Sequence, residues 1–141
     1  MSKTIKLDFD GCYQTKNLPL EDHQCSGIYT VYAGKLTEQN NCSLRKLLYI
    51  GESVNVGSRP GKTHESYKEW CRYLIKEKKE RLFYAFADIS DTDRERAEAA
   101  LIFHHQPPCN DQNTESFDYP ETRIIITGII DKLDTDFTEP N

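Results

Sequence analysis

Residues 26–33 (SGIYTVYA) form a hydrophobic run rich in Ile, Val, Thr and Tyr between polar stretches. This β-branched and aromatic enrichment predicts a strand that leads into a turn at Gly34. The signal returns at residues 45–50 after a polar loop at 37–43 (TEQNNCS), so the pair reads as a long-looped hairpin. On the first of these strands Tyr29 and Val31 share one face, while Ile28, Thr30 and Tyr32 share the other. Residues 82–89 (LFYAFADI) predict a third, central strand. Residues 123–130 (RIIITGII) predict a fourth, buried on both faces or at an interface. A short strand is expected at residues 4–9, before a turn at Asp10-Gly11.

Helical spacing occupies the gaps. Beyond a break at Pro60-Gly61, Tyr67, Trp70, Cys71, Leu74 and Ile75 fall on one helical face within residues 63–81. Thr63 is the expected N-cap, and the cations of residues 76–81 suit that helix's C-terminal end. Thr92-Asp93-Arg94-Glu95 has the form of a capping box. The helix it opens runs to about Gln106, where Pro107-Pro108 ends it. The last eleven residues are polar and acidic and predict a loose tail.

Composition narrows the class. The chain has 141 residues, enough for one domain with its own core, and its 37% hydrophobic and 29% charged content is ordinary for a globular protein. No apolar run of about 18 residues occurs, so no membrane span is expected. Met1-Ser2-Lys3-Thr4 is not followed by an apolar signal region. Cys12, Cys25, Cys42, Cys71 and Cys109 form no CxxC pair. The expectation is reduced thiols, no zinc site and a cytoplasmic protein. Net charge is −5. Residues 43–82 nevertheless hold ten Lys/Arg against five Asp/Glu, a local +5 that leaves −10 for the remainder. Such a block is either a solvated helix face or a basic surface for phosphates.

Few residues offer chemistry. Glu98 lies mid-helix beside the apolar stripe, where it is either an ion-pair member or a ligand for a hard cation. Arg59, in the loop before the first helix, is either plain surface or a fork for a phosphodiester. His64 is either structural or a group that assists proton transfer or contacts phosphate. Tyr29 and Tyr49 are either sheet tyrosines or phenols that orient and deprotonate a water. The second role requires a phenol pKa lowered by nearby cations, or relay to a better base. His104 and His105 are adjacent on a helix and cannot pair on one metal.

In order along the chain, Gly27-Ile28-Tyr29, Tyr49-Ile50-Gly51, Arg59, Glu98 and Asn110 resemble the GIY-YIG nuclease superfamily. Both tripeptides are intact, Arg59 stands eight residues after Gly51, and Asn110 twelve after Glu98. The resemblance covers residues 26–110. It implies an α/β (α+β) fold: a small antiparallel three-stranded sheet flanked by helices, here with an additional C-terminal strand. It also implies a divalent-metal-dependent endonuclease that hydrolyses DNA phosphodiesters with Mg²⁺ (or Mn²⁺). By position, Tyr29 would help generate the nucleophile and Tyr49 would contact the phosphate or attacking water. Arg59 would stabilise the pentacovalent phosphate and Glu98 would hold the metal. Asn110, with Gly27 and Gly51, would support the site. Three departures stand out: a longer gap between the tripeptides, Glu52 where some members carry lysine, and His64 five residues after Arg59 instead of four. Glu52 would then be a second acid near the metal. The resemblance divides the chain into an N-terminal extension (1–25), a nuclease core (26–112) and a C-terminal strand with acidic tail (113–141). Target recognition is expected from a homodimer, a partner protein or DNA structure. The alternative is a catalytically weak or inactive module that binds nucleic acid or a protein partner.

Overall fold

The computed structural model describes residues 1–140. Alternating and β-branched stretches form six strands: β1 (Lys3–Gln14), β2 (Gly27–Leu36), β3 (Cys42–Ser53), β4 (Arg81–Asp88), β5 (Thr122–Gly128) and β6 (Asp136–Glu139). Two α-helices accompany them, α1 (Tyr67–Cys71) and α2 (Asp91–His105). All six strands join one sheet in the order β3-β2-β4-β1-β5-β6. The expected three-stranded sheet flanked by helices is therefore corrected to a curled, mixed, six-stranded sheet with little helix. The reason lies in β1. Its first half pairs in parallel with β5, and its second half pairs antiparallel with β4 across an irregularity between Asp10 and Tyr13. One long strand thereby fuses β5 and β6 to the antiparallel β3-β2-β4 group.

β2 lies between β3 and β4, and its side chains alternate as the sequence predicts. Ile28 and Tyr32 enter the core under α2, which also holds Leu101, Ile102, Phe83 and Ile124. Tyr29, Val31 and Ala33 enter a second core on the other face, around Trp70, Val56, Tyr84 and Phe86. Burial on both faces explains why β4 is apolar at nearly every position. β4 is internal, as expected for a central strand.

Several local expectations are corrected. No turn forms at Asp10-Gly11 or at Gly34, since β1 and β2 run through both. Residues 63–81 do not make one helix. A single large anchor, Trp70, is buried in five-residue α1, and the charged stretch Lys76–Lys78 is a 3₁₀ turn with no buried residue. A charged segment without an apolar face has nothing to hold it in a longer helix. The cations there consequently do not cap a helix end. Ser66, not Thr63, precedes α1. The cap of α2 is Ser90, whose hydroxyl accepts the Asp93 N–H at 3.3 Å, in place of the box at Thr92. Pro107 follows the left-handed Gln106 that ends α2. β5 is buried on one face only, with Thr122, Ile124 and Ile126 inward and Arg123 outward. The tail is not loose up to residue 139, because β6 pairs with β5 and Phe137 stacks on His104 at 3.9 Å. Cys12 and Cys42 form a disulfide, contrary to the expectation of five reduced thiols. No helix among the described residues is long and apolar enough to cross a membrane.

Candidate active site

A cavity of about 410 Å³ opens beside edge strand β3. Tyr29, Tyr49, Arg59, Glu98 and Asn110 all line it, together with Glu52, Glu65, Glu69 and Asp111. Its floor follows from strand register. Tyr29 lies opposite Gly51, and Val31 opposite Tyr49. The missing side chain at Gly51 leaves room for the Tyr29 ring to lie across β3, where an added Cβ would overlap Cζ and Oη of that ring. The two phenol rings stack with centroids 6.0 Å apart. Gly27 is equally constrained, with Ala87 O and Val56 against its open side.

Asn110 explains how an edge strand can carry the site. Its side chain accepts the Ile50 N–H at 3.0 Å and donates to the Ile50 carbonyl at 2.9 Å. The Cys109 N–H donates to the Leu48 carbonyl at 3.0 Å. The free edge of β3 beside Tyr49 is thus satisfied by the turn after α2. Asn110→Ala is expected to lower stability by about 1–3 kcal/mol, since two backbone groups lose partners. Amide exchange at Ile50 should speed up selectively, and unchanged protection at Ile50 would disprove the clamp.

His64 is buried behind Tyr29 and does not line the cavity, so it makes no direct phosphate contact. Its Nδ1 accepts the Ser66 N–H at 2.9 Å, which leaves the ring proton on Nε2. Nε2 lies 2.8 Å from the Tyr29 hydroxyl and donates to it. Burial, with the Arg59 charge adding to it, pushes the His64 pKa down to about 4, so the ring is neutral at ordinary pH. Its 3.3 Å approach to Glu65 is then no ion pair. Trp70 holds the imidazole at a centroid distance of 4.5 Å and Tyr49 at 5.4 Å.

The phenols do not show the lowered pKa that the sequence reading required. Burial raises Tyr29 well above its ordinary value, Tyr49 adds to this, and Arg59 opposes it. Tyr49 is raised as well, by burial first and Glu98 second, with Arg59 opposing. Both are neutral phenols in the free protein.

Glu98 is the most perturbed acid. Burial drives its pKa up to about 8, Glu52 and Glu95 reinforce the shift, and Arg94 opposes it. Glu98 forms no salt bridge among the described residues, whereas Glu52 is taken by Arg94. A desolvated carboxyl beside an open, acid-lined cavity fits a divalent cation. No group of three or more His, Cys, Asp or Glu converges on a metal position among the described residues. The fit is therefore to a site with one protein carboxylate, whose shell water and phosphate oxygens complete.

Arg59 is not free. Its Nη2 donates to both oxygens of Glu65, at 2.6 and 2.9 Å. The sequence reading overlooked Glu65 and the Trp70 support. Glu65 left a faint signal as an acid six residues from Arg59 in the same loop, while Trp70 left none beyond its apolar spacing.

No protein-family model matches the chain. Neither the curated proteins nor the solved structures contain a match.

Proposed function

We propose that this protein is a divalent-metal-dependent endonuclease of the GIY-YIG type, hydrolysing DNA phosphodiester bonds in the cavity beside β3. The reading rests on one observation: Tyr29, Tyr49, Arg59, Glu98 and Asn110 come from five separate segments and surround one cavity. A chance pair of tripeptides in two strands would not bring the arginine, the acid and the amide to the same place.

Each residue has a task. Arg59 leaves Glu65 for a non-bridging oxygen of the phosphate and offsets the charge that grows in the pentacovalent transition state. Tyr49 orients the attacking water. The Tyr29 phenol first loses its own proton to solvent, and the phenolate then takes the proton of that water; burial opposes the phenolate, while the Arg59 charge and the His64 N–H favour it. His64 thus acts as a donor that positions and stabilises Tyr29, not as a base. Ionised Glu98 would hold Mg²⁺ or Mn²⁺, which would supply Lewis-acid stabilisation of the negative charge that develops in the transition state. Asn110 holds β3 in register. Because the phenol is raised, the cleavage rate climbs with pH, and no limb near 6.5 is expected from His64.

The Arg59–Glu65 pair, which occupies the arginine in the free protein, favours a second reading. In it the fold binds nucleic acid or a partner protein and catalyses weakly or not at all. Cleavage of duplex, branched and single-stranded DNA and of RNA, with Mg²⁺ or Mn²⁺, separates the two. Arg59→Ala is expected to slow cleavage by about 10²–10³-fold while the protein stays folded. A wild-type protein that binds DNA yet cuts no substrate with either metal would favour the binding module.

A further inference from the structure

The cavity is a poor source of affinity for a polyanion. With Glu52 paired to Arg94 and Glu65 to Arg59, the lining still carries Glu69 and Asp111, and Glu98 joins them once ionised, with no free cation among the described lining residues to offset them. Even with a divalent cation bound, such a wall leaves phosphates away from the cleaved bond without attraction. Affinity for the strand must come from another surface.

That surface lies on the other side of the loop that carries Arg59. Residues 58 and 60–63 form one wall of a groove of about 420 Å³, whose opposite wall is the turn after β1 with Thr15, Lys16 and Leu18. A second groove of about 340 Å³ shares Thr15, Lys16 and Lys62 and continues past Tyr67 to Arg81. Together they bear Lys16, Lys62 and Arg81. Lys16 and Lys62 are exposed, and neither enters an ion pair among the described residues. The acid in the lining, Glu80, is held by both Nε and Nη2 of Arg45, with a further bond from the Ile75 N–H. Its charge is spent inside the fold. The grooves are therefore net positive beside a net negative cavity, and Arg59 stands at the boundary.

We infer that this basic groove, formed by the β1 turn at Thr15–Lys16, the loop at Lys62 and the start of β4 at Arg81, is the track for the DNA backbone flanking the cut bond. The inference rests on the nuclease reading of the cavity. One loop lines both surfaces, so a phosphate held by Arg59 places its neighbours along the same strand toward Lys62 and Lys16. Lysines in this setting act as point charges that neutralise phosphates without reading sequence. The groove thus predicts binding that depends on salt more than on base sequence.

The test is fluorescence anisotropy of a labelled duplex in Ca²⁺, between about 50 and 200 mM salt, with cleavage measured in parallel in Mg²⁺. Lys16→Ala/Lys62→Ala is expected to weaken binding roughly tenfold or more and to lower the salt slope by about 2. Lys76→Ala/Lys78→Ala removes the same charge from exposed positions outside both grooves, and should change neither quantity as much. If the two double variants behave alike on a wild type that binds and cuts, the groove is refuted and the nuclease reading survives. If wild type binds without cutting and only the groove variant loses binding, the groove stands and the nuclease reading falls. A wild type that neither binds nor cuts overturns both. Binding of a polyglutamate peptide as tight as that of the duplex would mark the groove as a site for acidic protein and overturn the inference.

Discussion

Glu98→Gln stabilises the protein, most strongly at alkaline pH, while removing its response to Mg²⁺. The folded carboxyl titrates near 8, and the ordinary value for an unfolded glutamate is about 4.3. The native state therefore holds an extra proton between those values. Stability from the neutral carboxyl is complete below about 4.3, declines as pH rises, and is lost as pH passes 8. Glutamine stays neutral throughout, so the variant escapes that loss. The gain should be small near pH 5 and reach on the order of 3–5 kcal/mol near pH 9, or roughly 10 °C in Tm. Cation binding ionises the same group, so wild type should release close to one proton per Mg²⁺ at neutral pH and gain thermal stability from the ion. The variant should do neither. Differential scanning fluorimetry across pH, with and without Mg²⁺, reads both effects. A stability difference that is flat from pH 5 to 9 would show that Glu98 is not the desolvated acid without an ion-pair partner described above.

Gly51→Ala has the second large effect, and it separates packing from chemistry. The added methyl falls on the Tyr29 ring, which is 1% exposed and pinned between β3 and the core of Trp70. Neither backbone can retreat, because β2 pairs on both sides and Asn110 holds Ile50. The ring must leave its rotamer and lose its bond to His64. An overpacked core of this kind costs about 1–3 kcal/mol. The displaced phenol should also lower cleavage by about 10²–10⁴-fold, as loss of a general base would. Tyr29→Phe should lose similar activity at a stability cost of only about 1 kcal/mol, since only the hydroxyl bond is removed. Urea unfolding and single-turnover rates on both variants test this. A Gly51→Ala protein as stable and active as wild type would show that the ring does not need the glycine.

The parts of the fold visible in the sequence were those set by local pattern. β2, the middle of β3, β4 and the body of α2 follow from alternation, helical spacing and the Pro107-Pro108 stop. The sheet as a whole was not visible, because it depends on pairing between residues more than a hundred positions apart, such as Leu7 with Ile126. The stretch around Trp70 shows the opposite failure. Its apolar spacing looked helical, yet one buried indole anchors a five-residue helix and the charged remainder makes a turn. The disulfide joins β1 to β3 across 30 residues with no spacing motif to announce it.

The candidate site was legible to a different degree. Its residues could be named, because a resemblance in order and spacing singles them out. Their chemistry could not. Whether Tyr29 and Tyr49 are acidified or buried depends on how many cations reach the phenols, and burial outweighs the single nearby charge of Arg59. The direction of the His64 bond depends on the Ser66 N–H, a backbone group with no signature in sequence. Arg59 being held by Glu65 in the free protein is likewise a matter of loop shape.

The most direct test of a phosphodiester-cleaving cavity at Tyr29, Arg59 and Glu98 is the single-turnover cleavage rate of wild type and Glu98→Gln, side by side, in Mg²⁺ and in EDTA. Wild type should cut DNA in Mg²⁺ and stop in EDTA, and the folded variant should fail in both. Cleavage that survives Glu98→Gln, or a wild type that cuts nothing in Mg²⁺ or Mn²⁺, would contradict it.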